Sequence, residues 1–146
     1  EERVRYAVDD SVEDEDWTKY IVCFRYPLRA WETLGSEAAS DPGVFEQTDY
    51  LAKGNAWWLP VENDAMSAVS GKSVAEGMLV LVDSGVAVEP GRLVVARQPG
   101  KSAIFRQLTE EGGQRYLKAL NGSYPTLVCE EGCEFLGVVV RVHGIF

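Results

Sequence analysis

Basic residues are scarce in this sequence. Fourteen Lys and Arg stand against 23 Asp and Glu, and the formal charge at neutral pH is −9. Affinity for nucleic acid leans on Lys and Arg against phosphates, so a chain this acidic is a poor direct ligand for a phosphate backbone. Long apolar runs are missing as well. None approaches the ~20 residues that a membrane-spanning helix needs, and no secretory leader is visible, so no membrane association is expected. Histidine occurs once, at His143, and cysteine three times. A small, odd cysteine count argues for a reducing compartment, and the expected location is the cytoplasm. Cys129 and Cys133 with one distant histidine make an incomplete zinc set, so no metal is expected. Neither P-loop glycine spacing nor a Gly-x-Ser-x-Gly elbow occurs between Ala65 and Ser73. Ser67, Ser70 and Ser73 therefore read as a surface turn. No methionine stands at position 1, which predicts a fragment of a longer protein.

What is present is enough for one domain. The 146 residues are 46% hydrophobic and 10% aromatic, which allows a real core. The charge is uneven: residues 1–16 hold eight acids and two arginines, −6, leaving −3 for the rest. Residues 1–19, with Asp9-Asp10 and Glu13-Asp14-Glu15-Asp16, read as an acidic, solvated linker, and residues 20–146 as the folded domain.

The β pattern is densest from Trp57 to Ala96. Trp57, Leu59 and Val61 alternate with Trp58, Pro60 and Glu62, the period of a strand with one buried face. Met78 to Val82 is an unbroken apolar run, which fits a strand covered on both faces. Glu89-Pro90-Gly91 is a turn, and Leu93 to Ala96 resumes. Earlier, Tyr20 to Tyr26 reads as an edge strand stopping at Pro27, and a short helix is placed around Gly43 to Tyr50. Later, Gly100–Leu108 and Gly112–Leu120 read as a hairpin turning at Glu110-Glu111-Gly112-Gly113. Phe135 to Val142 is the most β-prone stretch, and an apolar edge there would need covering.

Several of these pieces, in order, resemble the C-terminal domain of LexA-like and lambda-type phage repressors, which are self-cleaving serine-lysine peptidases. That family runs Val-Glu-Gly-(Asp/Asn)-Ser-Met, a hydrophobic strand ending in Val-Asp, Pro-Gly, and a strand ending in Ala. This sequence has Val61-Glu62-Asn63-Asp64-Ala65-Met66, Leu79-Val80-Leu81-Val82-Asp83, Pro90-Gly91 and Val94-Val95-Ala96. Phe105-Arg106-Gln107-Leu108, Tyr116 to Asn121, Tyr124-Pro125 and Gly137-Val138-Val139 fit too. The resemblance covers residues 26–143. It implies a mainly β fold of small bent sheets (the LexA-like, signal-peptidase-like fold), no cofactor, and a homodimer paired through the C-terminal strand around Val138 and Val140. It also implies operator DNA bound through an N-terminal helix-turn-helix domain that is absent here.

The resemblance also locates three departures. The nucleophilic serine falls on Ala65, the activating lysine on Arg106, and the scissile bond, usually Ala-Gly or Cys-Gly, on Leu34-Gly35. A serine needs a positioned base, and lysine can be one when burial leaves it neutral. Arginine does not deprotonate in proteins, and alanine has no oxygen to attack with. The bulk of Leu34 is expected to hinder entry into a narrow site, since overfilling a packed site costs about 1–3 kcal/mol.

The function that follows is the dimerisation and regulatory domain of a phage- or prophage-type repressor unable to cleave itself. The rival is an autopeptidase domain of an SOS-responsive repressor, trapped by replacement of its nucleophile and base. A third course is a lineage relieved by an antirepressor protein rather than by RecA filaments. Three departures together favour natural loss.

Overall fold

Leu79-Val80-Leu81-Val82-Asp83 is the strand on which the rest is assembled, and every one of its residues is buried. In the computed structural model, which describes residues 5–6, 21–34 and 44–144, this strand lies inside a seven-stranded antiparallel sheet. The strands in chain order are β1 (Arg5–Tyr6), β2 (Ile21–Val22), β3 (Phe24–Pro27), β4 (Phe45–Thr48), β5 (Ala56–Pro60) and β6 (Leu79–Asp83). They continue as β7 (Leu93–Arg97), β8 (Ala103–Glu111), β9 (Gln114–Lys118), β10 (Leu127–Val128) and β11 (Glu134–His143). The large sheet runs β10-β9-β8-β7-β11-β6-β5, and β1-β2 and β3-β4 form two small pairs. A single 3-10 turn, Trp31–Thr33, is the only helical element among the described residues. The domain is mainly β, as its sequence implies.

Alternation along each strand feeds opposite faces. Val80 and Val82 join one cluster with Leu59, Val61, Met66, Val95 and Phe105. Leu79 and Leu81 turn to the other face, with Tyr26 and Trp58. Val94 and Ala96 point to that second face too, and pack with Leu108, Leu117 and Val138. The unbroken apolar run of β6 is therefore explained as expected, by cover on both faces.

The C-terminal strand departs from its expected place at an edge. It lies between β7 and β6, with Glu134 to Val138 in register with β7 and Val138 to His143 in register with β6. A register shift interrupts each pairing, between Phe135 and Gly137 and between Val139 and Arg141. Such irregularities bend a strand, so β11 joins two smaller curved sheets. Gly137 sits at the changeover: a Cβ there would lie 2.5 Å from Val82 Cγ1.

Three other expectations are corrected. Trp58 and Leu59 are both buried, so β5 is covered on both faces instead of one. The missing cover comes from β4, whose Glu46 carbonyl accepts the Trp58 indole N–H at 3.1 Å. The segment placed as a short helix around 43–50 contains β4, which pairs residue by residue with β3; that long-range pairing overrides any local helical tendency. The single strand expected over 20–26 is broken at Cys23 into β2 and β3, and β2 pairs with Arg5 and Tyr6 from the acidic stretch. Tyr20 and the rest of residues 1–19 lie outside the described residues. The β8–β9 hairpin does form. Gly112 and Gly113, at φ +60° and +82°, make its two-residue turn, which needs positive φ at both positions.

Candidate functional site

The chain leaves β5 into the turn Val61-Glu62-Asn63-Asp64-Ala65-Met66. Val61 anchors it, donating to Met78 O at 2.8 Å and accepting from Gly77 N at 2.9 Å. Asn63 and Asp64 favour the turn because their side chains can bond nearby backbone. Asn63 Oδ1 accepts the Ala65 N–H at 3.0 Å. The Ala65 carbonyl accepts from Asn121 N at 2.9 Å, and Asn121 Nδ2 donates to Asp64 O at 3.0 Å. Ala65 is fully buried, and both its backbone groups are taken.

Arg106 comes from β8, opposite Val94 on β7. It is half-buried. Its Nη1 donates to Phe105 O at 2.8 Å, and its buried Nε has no hydrogen-bond partner among the described residues. The guanidinium lies 5.7 Å from the centre of the Tyr124 ring, a cation–π distance. The Tyr124 hydroxyl donates to Asp64 Oδ1 at 2.6 Å, so a chain of contacts joins Arg106 to the turn that carries Ala65. Burial lowers the Arg106 pKa, with the Tyr124 hydroxyl acting the other way. Arginine still stays protonated through the working range. The hydrogen bond to Asp64 raises the Tyr124 pKa, with desolvation and the Asp64 charge adding to it.

Leu34 follows the 3-10 turn, and Arg97 Nη1 donates to its carbonyl at 3.1 Å. A cleft of about 460 Å³ is lined by Leu34, Glu62, Asn63, Arg97, Lys101 and Arg106, among others. The Leu34 side chain is buried in the cluster that includes Val61, Met66 and Phe105. Leu34 thus packs as a buried residue in the wall of the cleft. Gly35, the other half of the expected scissile pair, lies outside the described residues.

The structure thus brings Leu34, Asn63 and Arg106 to one cleft, while Ala65 is buried two residues beyond Asn63. Of the expected dimer positions, Val138 is buried in its own protomer's core and Val140 is partly buried. The serines read as a turn are one: Ser67 Oγ donates to Val74 O at 3.3 Å, Ser73 Oγ accepts from Ala68 N at 2.9 Å, and Ser70 is exposed. Cys129 and Cys133 are free thiols beside one another. Burial raises both pKa values, and the neighbouring Cys129 helps push Cys133 up to about 11. No group of three or more metal-ligating side chains occurs among the described residues. His143 meets Trp58 edge-on, ring centres 6.1 Å apart. Sequence reasoning missed Arg97 and the capping role of Asn63. Asn63 does differ from the glycine of the resembled motif, and that difference was the available signal.

Comparison with known proteins bears on this cleft. Residues 21–140 match the family model described as Peptidase S24-like. The repressor protein C2 of Salmonella phage P22 is 36% identical over 123 residues, covering 79% of this chain and 57% of that protein. The HTH-type transcriptional regulators for conjugative element R391 of Providencia rettgeri and for element SXT of Vibrio cholerae are each 36% identical over 124 residues, covering 79% of this chain and 58% of theirs. The chain therefore spans less than two thirds of the length of these relatives.

Proposed function

This chain belongs to the Peptidase S24-like family, and from that membership we propose that it is the C-terminal dimerisation and regulatory domain of a phage- or prophage-type transcriptional repressor that does not cleave itself. The repressor and regulator names of its relatives support the first half of that reading. The single observation that carries the second half is the pair of residues at the two catalytic positions. Where the family reaction needs a hydroxyl there is Ala65, fully buried two residues after the cleft-lining Asn63, and where it needs a neutral amine there is the guanidinium of Arg106, in the cleft wall and stacked on Tyr124. In the whole protein, operator DNA is reached through a separate helix-turn-helix domain. This domain pairs two such heads as a homodimer, in the cytoplasm. Relief of repression then falls to an antirepressor protein in place of cleavage stimulated by RecA filaments.

The test is incubation of the chain at alkaline pH, with and without activated RecA filaments, followed by intact-mass measurement. The expected result is one uncut species under all conditions. Fragments ending at residue 34 would overturn the reading. One observation favours the rival, a self-cleaving peptidase trapped by substitution: Leu34 lines the same cleft as Arg106. Under that rival, replacing Ala65 by Ser and Arg106 by Lys together restores rapid cutting with Asn63 left in place, whereas under the proposed reading the same pair cuts only slowly.

A further inference from the structure

The segment before the cleft is laid along β5. Leu28 forms a parallel bridge with Trp58, and Arg29 N donates to Trp58 O at 2.9 Å. The Trp31 indole N–H donates to Pro60 O at 2.6 Å. Beyond Trp31 the chain turns into the cleft, stiffened by Thr33 N to Ala30 O and Leu34 N to Trp31 O at 3.1 and 3.2 Å. At Leu34 two contacts reach it from elsewhere in the fold. Its side chain, 6% exposed, is enclosed in the core cluster. Its carbonyl accepts a 3.1 Å hydrogen bond from Arg97 Nη1, 63 residues away on β7. Arg97 is itself oriented by Glu134 of β11, which pairs with its other terminal nitrogen. A planar guanidinium can hold a carboxylate and a carbonyl at once in fixed directions, which an ammonium does less well.

We infer that Leu34 and Arg97 form a two-point clamp that keeps the 28–34 segment seated as one wall of the cleft, with Arg97 as the positioning residue and the leucine side chain as the anchor. The functional meaning of this wall rests on the reading of the cleft given above. A peptide that used the cleft would lie against this wall, so the clamp sets the shape that the peptide must fit. The core holds an aliphatic side chain of leucine size, and the guanidinium holds the backbone carbonyl beside it.

The experiment is hydrogen–deuterium exchange by mass spectrometry on the full chain. The variants are Arg97→Met, Arg97→Lys, Glu134→Gln, Leu34→Ala and the Arg97→Met/Leu34→Ala double. Loss of a charged hydrogen bond should speed exchange in peptides covering 28–34 by about tenfold in Arg97→Met, with β6 and β7 unchanged. Arg97→Lys should restore part of that protection, and Glu134→Gln should loosen the same peptides less. In the double variant the effect should be smaller than the product of the two singles, because either loss already frees Leu34. Unchanged exchange at 28–34 in Arg97→Met would overturn the clamp. So would equal loosening in Arg97→Lys and Arg97→Met together with β6 and β7, which marks a merely structural arginine. None of these outcomes depends on whether a restored variant cuts itself, so failure of the clamp and failure of the proposed function are separable.

Discussion

The side-chain oxygen of Asn63 accepts the backbone N–H of Ala65 at 3.0 Å. In the resembled motif a glycine, with no side chain, stands where Asn63 does. The N–H of a nucleophilic residue is a natural donor to the negative charge that develops when a carbonyl is attacked, and losing one such donor costs about 10²–10³ in rate. On the proposed assignment of Ala65 and Arg106, this cap is a further obstacle to catalysis beyond the missing hydroxyl and amine. Ala65→Ser alone should give no cleavage, and Ala65→Ser with Arg106→Lys should cut slowly at high pH. Adding Asn63→Gly should raise the rate at least about tenfold. Time-resolved intact mass over a pH series measures all three. An unaltered rate on adding Asn63→Gly would mean that the Ala65 N–H is not the donor that matters.

Leu34 gives the second prediction, which sets its packing against the expectation that its bulk hinders the site. Because the side chain is enclosed beside Val61, Met66 and Phe105, Leu34→Ala leaves a cavity and should destabilise the domain by about 2–4 kcal/mol. Chemical denaturation would show this as a lower midpoint at unchanged slope. In the restored background the same change should slow cutting, because it unseats the segment. Faster cutting in Leu34→Ala would support the view that leucine's bulk obstructs the site.

What could be read from the sequence was what depends on near neighbours. The apolar run of β6 and the Gly112-Gly113 hairpin both show in short stretches. The rest depends on distant partners. Trp58 is buried because residues 45–48 arrive as a strand and not as a helix. Val138 is interior because β11 lies between β7 and β6. The bond from Arg97 to Leu34 and the bond from Tyr124 to Asp64 each span about 60 residues, and no local pattern announces them.

Asp83 carries the third prediction. It is fully buried at the end of β6 and accepts from Tyr50 OH at 2.7 Å, Lys53 N at 2.8 Å, Gly54 N at 3.0 Å and Gly85 N at 2.8 Å. Burial alone would raise its pKa, but the N–H groups of Lys53 and Gly85, the Tyr50 hydroxyl and the N–H of Gly54 outweigh it and hold the carboxyl below its usual value. A carboxyl with a lowered folded pKa stabilises the fold above its unfolded pKa of about 4, and that contribution is lost as pH falls through the folded value. Tyr50 behaves in the opposite sense. Burial, then the hydrogen bond and charge of Asp83, push it up to about 12, so its contribution is lost as pH rises from about 10 through that value. Asp83→Asn should lower stability at pH 7 by about 2–3 kcal/mol. The gap to the unmodified chain should narrow below about pH 4. A gap that stays constant from pH 7 to pH 3 would show that the charge of Asp83 contributes nothing.

The last prediction separates folding from assembly along β11. Val138 pairs with Val94 on one side and Asp83 on the other, and it packs with Leu108 and Leu117 in the core. A charge there is buried and unpaired, so Val138→Glu should unfold the domain and say nothing about a partner. Four residues on, the surroundings differ. The β7 register stops at Val138, so among the described residues the strand partners of Val139 to His143 lie on β6 alone. Val142 is 45% exposed there. An apolar strand with an open side is a place for a second copy to add, which fits the proposed homodimer. Val142→Glu should leave the thermal unfolding temperature unchanged and weaken self-association at least about tenfold, because like charges would face one another across a two-fold contact. Sedimentation from low to high micromolar concentration reads the association, and circular dichroism reads the fold. If Val142→Glu sediments as the unmodified chain does, with both dimeric, the pairing surface is not this edge. If the unmodified chain is monomeric throughout, the domain does not bring two DNA-binding heads together.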